Sequence, residues 1–479
     1  LYAIAGSLAI CYMKISFSIY IAQEHISTGI NTPTLSRYQS ILQKDNSLSI
    51  LMAEVQNVKR PIPDEKITPF IEETRCEKFG PLAYGGRTRR RRIFAGSLLA
   101  DDSWHSLGSS ALESYGIYHS ITFVESNRTQ SYEPRSLRFV PGSDDLRVIQ
   151  SGIFGPNVPV YIENFDDPEK RPSMLREHMM REVILKKWKE LGMTRDDIGL
   201  IMDIDEIVSR DFLRAAQICE IPDERWSTAV TQTCRSPLLK IFVPTFEGSP
   251  KCVHKGLGGN LKRFAHPDMV IGACIEGIGD SSRHPPAPRG YLDKNGRPQG
   301  ARQKGYGEAF DYHKIPNGRD GYFPLYNAAD FRRMKTDLSV FGATGYHMHN
   351  FFVLANKLRF KHAYYGHKHE HAFTAPLGAM NADINLLVKC VHNISDEGNK
   401  KQRIVNGLEV FLELFPLPAS FLLEGYIDAR HEEMKALVKK DEEEYGRADM
   451  FDGNHLYKEH MLTHPGRRQN DTNDRKKKR

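Results

Sequence analysis

The segment RDDIGLIMDIDEIVSRDFL, residues 195–213, decides the fold class. Ile198–Met202 is apolar apart from Gly199, and it runs straight into Asp203-Ile204-Asp205-Glu206. A short apolar run bounded by charge suits a strand buried on both faces. Alternation along a strand turns the Asp203 and Asp205 side chains to the same side, at its carboxyl end. In open α/β sheets that edge is where ligands bind. Two carboxylates so close repel one another unless a cation or a proton sits between them. A hard divalent ion, Mn2+ or Mg2+, is the natural partner, since it takes oxygen ligands and shares them with substrate phosphates. The competing reading is a solvated turn in which Ser209 or Asp211 caps the next helix.

Working outward, YHSITFVES (118–126) and VPVYIENF (158–165) read as strands. The stretch 172–192 carries Met179, Val183, Ile184, Trp188 and Leu191 at helical spacing, opens on Pro172-Ser173 and stops at Gly192. Strand, strand, helix, strand with short connections predicts an α/β fold with a mostly parallel sheet flanked by helices. Residues 227–275 add strands, including LLKIFVPTF at 238–246. Residues 280–322, dense in Gly, Pro and charge, read as a long loop of the kind that forms lids or insertions. Helical periodicity returns over 407–440. The expected organisation is a single large catalytic domain at 93–440, after a polar stem or linker at 23–92 and before a basic disordered tail at 441–479.

The composition is that of a globular protein, 40% apolar and 26% charged. The net charge of +6 is concentrated in two runs, Arg87-Thr88-Arg89-Arg90-Arg91-Arg92 and Arg475-Lys476-Lys477-Lys478-Arg479. Such runs are usually solvated, so no nucleic-acid partner is inferred. Residues 1–22 are apolar apart from Lys14 and small polar residues. A membrane span takes about 20 apolar residues, and one central Lys costs about 2.5–3.5 kcal/mol. A signal anchor or a signal peptide is therefore expected there, placing the rest of the chain in the secretory lumen; a buried helix is the alternative. The seven cysteines include no C-x-x-C pair, which argues against a zinc ribbon. Six lie beyond residue 22 and allow up to three disulfides, of unreadable pairing. Asn127-Arg128-Thr129, Asn393-Ile394-Ser395 and Asn470-Asp471-Thr472 are glycosylation sequons.

Asp-x-Asp after a buried strand occurs in metal-dependent glycosyltransferases and in haloacid-dehalogenase-type phosphatases, where Asp203 would be the nucleophile. In the latter a small turn normally follows, whereas here Glu206-Ile207 does. Several segments together resemble glycosyltransferase family 17, the β-1,4-mannosyl-glycoprotein 4-β-N-acetylglucosaminyltransferases. FVESNRTQSYEPRSLRF (123–139), DDIGLIMDIDEIVSRD (196–211), GATGYHMHNFF (342–352) and FKHAYYGHKH (360–369) carry the resemblance, in family order. Tyr346 stands where the family has Trp, and Met348 and Phe351 where it has cysteines.

The resemblance implies a GT-A-like fold, a UDP-GlcNAc donor, an N-glycan acceptor and a Golgi membrane location with the catalytic domain in the lumen. On that footing Asp203, Asp205 and His347 are expected at the metal, with Asp203 also near the ribose. Glu125, Ser126 and Asn127 are expected at the nucleotide, and Arg181 at the phosphates, where its fork geometry suits it. An inverting transfer needs a general base within reach of the acceptor hydroxyl. The candidates are Glu206, Glu276, Asp280 and Asp330, with Glu276 favoured because the apolar MVIGACIEG segment leads to it. The histidines of HKHEH (His367, His369, His371) read as a solvated or structural run. A non-catalytic glycan-binding relative is the remaining alternative.

Overall fold

A computed structural model describes residues 46–57, 66–80, 82–100, 104–168, 173–220, 239–255, 263–264, 266–279, 339–340, 343–352, 355–364, 372–394, 403–406, 423 and 425–451. The expected anchor (1–22), the long loop (280–322), the HKHEH run and residues 452–479 lie outside the described residues. Among the described residues no helix is long and apolar enough to cross a membrane.

The elements in chain order begin with α1 (Asn46–Asn57), α2 (Pro69–Glu77), β1 (Ala83–Tyr84), β2 (Ile93–Leu99), α3 (Trp104–Ser114) and β3 (Ser120–Ser126). They continue with α4 (Asp144–Gln150), β4 (Val160–Phe165), α5 (Ser173–Glu190), β5 (Ile198–Asp203), β6 (Glu206–Val208), α6 (Arg210–Ile218) and β7 (Cys219–Glu220). Then come β8 (Leu239–Ile241), β9 (Val243–Glu247), β10 (Cys252–Lys255), β11 (Arg263–Phe264), β12 (Asp268–Ile271), β13 (Ser339–Val340) and β14 (Gly345–His349). The last are α7 (Ala355–Tyr364), α8 (Leu377–Met380), α9 (Ala382–Val391), β15 (Arg403–Asn406) and α10 (Tyr426–Tyr445).

The main sheet has seven strands in the order β13-β8-β12-β5-β2-β3-β4. Its first four strands by sequence lie side by side and parallel as β4-β3-β2-β5. The chain therefore winds outward from β2 on one side, then returns to start again on the other. That reversal is the topological switch point at which open α/β sheets bind ligands. β12 runs antiparallel to both its neighbours, so the sheet is mixed rather than wholly parallel. The α/β, Rossmann-like architecture is as the sequence predicts.

Helix α5 lies across β2 and β3 because Ile184 and Trp188, both fully buried, press onto the strands where Gly96 and Gly199 carry no side chain. A Cβ at Gly96 would stand 2.2 Å from Ile184 Cγ2, and one at Gly199 2.4 Å from Trp188 Cζ3. Only glycine permits that approach.

The second sheet runs β15-β10-β9-β14-β6, with β11 also on β9. The predicted strand 238–246 is in fact two, β8 in one sheet and β9 in the other, parted at Phe242. The larger join is at Ile204-Asp205: β5 ends the first sheet there and β6 begins the second.

Two expectations for the first hundred residues need correcting. Within the stretch read as a stem, α1 buries Leu48, Leu51, Met52 and Val55, one helical stripe, against α3 and α10. Cys76 at the end of α2 is disulfide-bonded to Cys219. Four arginines of the run are paired rather than solvated. Arg87 forms a two-bond fork with Asp196 at 2.7 Å, Arg90 meets Glu72, Arg91 meets Glu220 and Arg92 meets Asp197. Ile93 and Ile198 are partners in the parallel β2–β5 register, so the arginines before one strand lie beside the aspartates before the other. A second disulfide joins Cys252 to Cys390, and Cys274 is disulfide-bonded as well.

Candidate functional site

The carboxyl ends of β2, β3 and β5 open into a cleft of about 1210 Å³, its mouth included. Its floor holds Leu98 and Leu99 from β2, Ser126 from β3 and Asp203, Ile204 and Asp205 after β5. Leu98 is the register partner of Asp203. One wall comes from α5 with Arg176, Glu177, Met180 and Arg181; another is aromatic, with Phe351, Phe352, Phe360 and Tyr364.

The Asp-x-Asp turn is held by its neighbours. The Asp203 N–H donates to Glu206 Oε2 at 2.8 Å, and the Met348 N–H donates to the Asp205 carbonyl at 2.8 Å. Because His347 on β14 faces Glu206 across the strand pair, its imidazole is delivered to Asp205, Nε2 to Oδ2 at 3.4 Å. Asp203 remains 42% exposed to the cleft, with Oδ1 accepting from Arg181 at 3.0 Å. Burial works against ionisation of Asp205. The His347 imidazole and the Lys361 ammonium outweigh both burial and repulsion by Asp203, and hold Asp205 below the usual carboxylate range. The converse holds for His347: burial lowers it, but Asp205 and Glu206 raise it above an ordinary histidine.

Asp203, Asp205, Ser126 and Arg181 thus line one cleft, and His347 is joined to it through Asp205. Ser126 Oγ accepts from Arg176 at 3.0 Å. Arg181 Nη2 donates to Glu177 at 2.8 Å as well as to Asp203 at 3.0 Å, so it orients the carboxylate from the cleft wall.

Four predicted site residues have other placements. Glu125 is fully buried, and its oxygens accept the N–H groups of Arg138 and Phe139 at 2.9 and 3.0 Å and the Arg135 guanidinium at 3.1 Å. It pins the 127–139 loop instead of meeting a nucleotide. Asn127 donates to Asp166 at 2.9 Å, outside the cleft lining. Glu206, 1% exposed, closes the turn from within. Glu276 lies at the wrong edge. Its strand, β12, is antiparallel to β5, with Ile271 opposite Ile198, so the residues after β12 emerge where the parallel strands begin. Asp280 and Asp330 lie outside the described residues.

Glu177, Lys361 and the cleft-lining Arg128, Arg135 and Arg176 were not singled out in the sequence. For Glu177 a signal existed: it stands four residues before Arg181 on one helix, the spacing of a facing ion pair. Lys361 had no local signal.

No protein-family profile and no curated protein matches the chain. Among solved structures it resembles one described as the crystal structure of 4-diphosphocytidyl-2C-methyl-D-erythritol synthase, at 10% identity, over 38% of this chain and 76% of that one, with a TM-score of 0.19. A likeness that slight carries no argument.

Proposed function

We propose that the chain is a metal-dependent inverting glycosyltransferase of GT-A-like fold, related to family 17, that moves N-acetylglucosamine from UDP-GlcNAc to the 4-hydroxyl of a β-mannose in an N-glycan. One observation carries the reading: Asp203 and Asp205 line a cleft on the switch-point edge of the sheet, and the His347 imidazole stands 3.4 Å from Asp205. The cleft is rich in Arg and Lys side chains, which suits a doubly phosphorylated donor.

The donor set fits a hard cation. Asp205 is held ionised, Asp203 is exposed to the cleft, and His347 adds one nitrogen. Among the described residues no group of three or more His, Cys, Asp or Glu is placed to hold a metal ion by itself, so the ion would depend on phosphate oxygens of the donor to complete its shell. Asp205, Asp203 and His347 would hold it. When bound, such an ion neutralises the charge that develops on a departing diphosphate.

The chain's own residues supply the rest. Arg181 fixes the Asp203 carboxylate, Glu177 fixes Arg181, and the aromatic wall of Phe351, Phe352 and Phe360 keeps bulk water from that side of the cleft. The paired cysteines accord with an oxidising compartment and so with a position on the lumenal side of the Golgi membrane.

The test is turnover of UDP-GlcNAc on a defined N-glycan by the purified chain, with and without Mn2+. Asp205→Ala is expected to lower the rate by at least about a hundredfold, the equivalent of about 3 kcal/mol. No donor binding or turnover under either condition would reject the proposal.

A further inference from the structure

The glycosyltransferase reading leaves one buried charge beside the cleft without a task. Glu247, at the end of β9, is fully buried. Its Oε2 accepts from His254 Nε2 at 3.0 Å and His349 Nδ1 at 2.8 Å, and its Oε1 accepts from Asn350 Nδ2 at 2.6 Å. A carboxylate this deep is costly unless every lone pair is engaged. Here burial works against ionisation, and the two imidazoles more than offset it, holding Glu247 far below the usual carboxylate range.

Its effect is on Asn350, which is 1% exposed and has a left-handed backbone, φ 57°. With Nδ2 committed to Glu247, the amide can present only Oδ1 in the other direction. Oδ1 accepts from Lys361 Nζ at 2.9 Å. Asn350 and Lys361 both line the cleft together with Asp205, and the ammonium stands 5.4 Å from the centre of the Phe352 ring. An ammonium has three protons, and the one given to Asn350 fixes its place in the cleft lining.

We infer that Lys361 is a binding residue for the donor's diphosphate, and that Glu247, acting through Asn350, is the positioning residue that holds it there. The inference rests on the donor being a nucleoside diphosphate sugar. It adds to the phosphate site a cation that shares the cleft lining with Asp205. Lys is a point charge on a flexible stem, so the fixed amide oxygen supplies the direction that the stem lacks.

The experiment measures binding of UDP and of inorganic pyrophosphate to the full chain by calorimetry, with Mn2+ present. Lys361→Met is expected to weaken both by about tenfold with an unchanged melting curve, Lys361→Arg to stay within about threefold of wild type, and Glu247→Gln to weaken both while Lys361 itself is intact. If wild type binds UDP and Lys361→Met binds it equally well, the inference falls and the glycosyltransferase reading stands. If wild type binds neither UDP nor pyrophosphate, both fall.

Discussion

Gly199→Ala tests whether the approach of α5 to the sheet is what sets the site. The added methyl would lie 2.4 Å from Trp188 Cζ3, 2.9 Å from Cη2 and 3.1 Å from Val270 Cγ1. Carbon atoms rest at about 3.5–4.0 Å, so the indole must withdraw by about 1–1.5 Å. Trp188 is fully buried and donates Nε1–H to the Ala95 carbonyl at 3.3 Å, so it cannot swing away without loss. Overpacking costs about 1–3 kcal/mol and the strained hydrogen bond about 1. The less flexible unfolded chain returns about 0.4–1. The expected net loss is about 1–3.5 kcal/mol.

The displacement also reaches the site, because Arg181 sits seven residues from Trp188, two turns along the same helix. Urea unfolding followed by tryptophan fluorescence measures the loss, and the double variant Gly199→Ala/Trp188→Phe measures its cause. If the clash is the cause, the double variant recovers part of the loss, with a coupling of at least about 1 kcal/mol. A single variant as stable as wild type, or strictly additive effects, would refute the argument.

Glu125→Gln should cost about 1–3 kcal/mol, since an amide NH2 would face donors now bound by a carboxylate oxygen; faster hydrogen exchange at the Arg138 and Phe139 amides is the specific readout. His431, which meets Ser249 Oγ at 3.0 Å, is pushed down from 6.5 to about 4 by burial, with Lys435 and Lys251 adding to it. Both states are neutral above pH 6.5, so stability is full there and is lost as pH falls through about 4. The loss is about 2–3 kcal/mol after solvent screening, and His431→Gln should flatten that part of the melting-temperature profile; an unchanged slope would count against it.

Much of the site was legible because Asp203 and Asp205 are close in sequence and the strand before them is short and wholly apolar. Local pattern alone sets such a strand and puts the carboxylates at its carboxyl end. Ser126 and Arg181 were legible for a similar reason, being anchored to β3 and α5, both recognisable by periodicity. Glu125, one residue from Ser126, was misjudged. Neighbours along a strand point to opposite faces, and sequence does not say which face meets the loop at 138–139.

The sequence by itself determined an α/β fold, the strand that ends in Asp-x-Asp and the helix that covers it, because those depend on hydrophobic period. Tertiary structure alone decided the direction of β12, which carries Glu276 to the far edge, and the pairing of the arginine run with aspartates more than a hundred residues away. It alone decided that α1 belongs to the core, and that Glu247, Asn350 and Lys361 join into one chain of hydrogen bonds. Strand direction and long-range contacts depend on how separate elements close on one another, and no local pattern of residues encodes that.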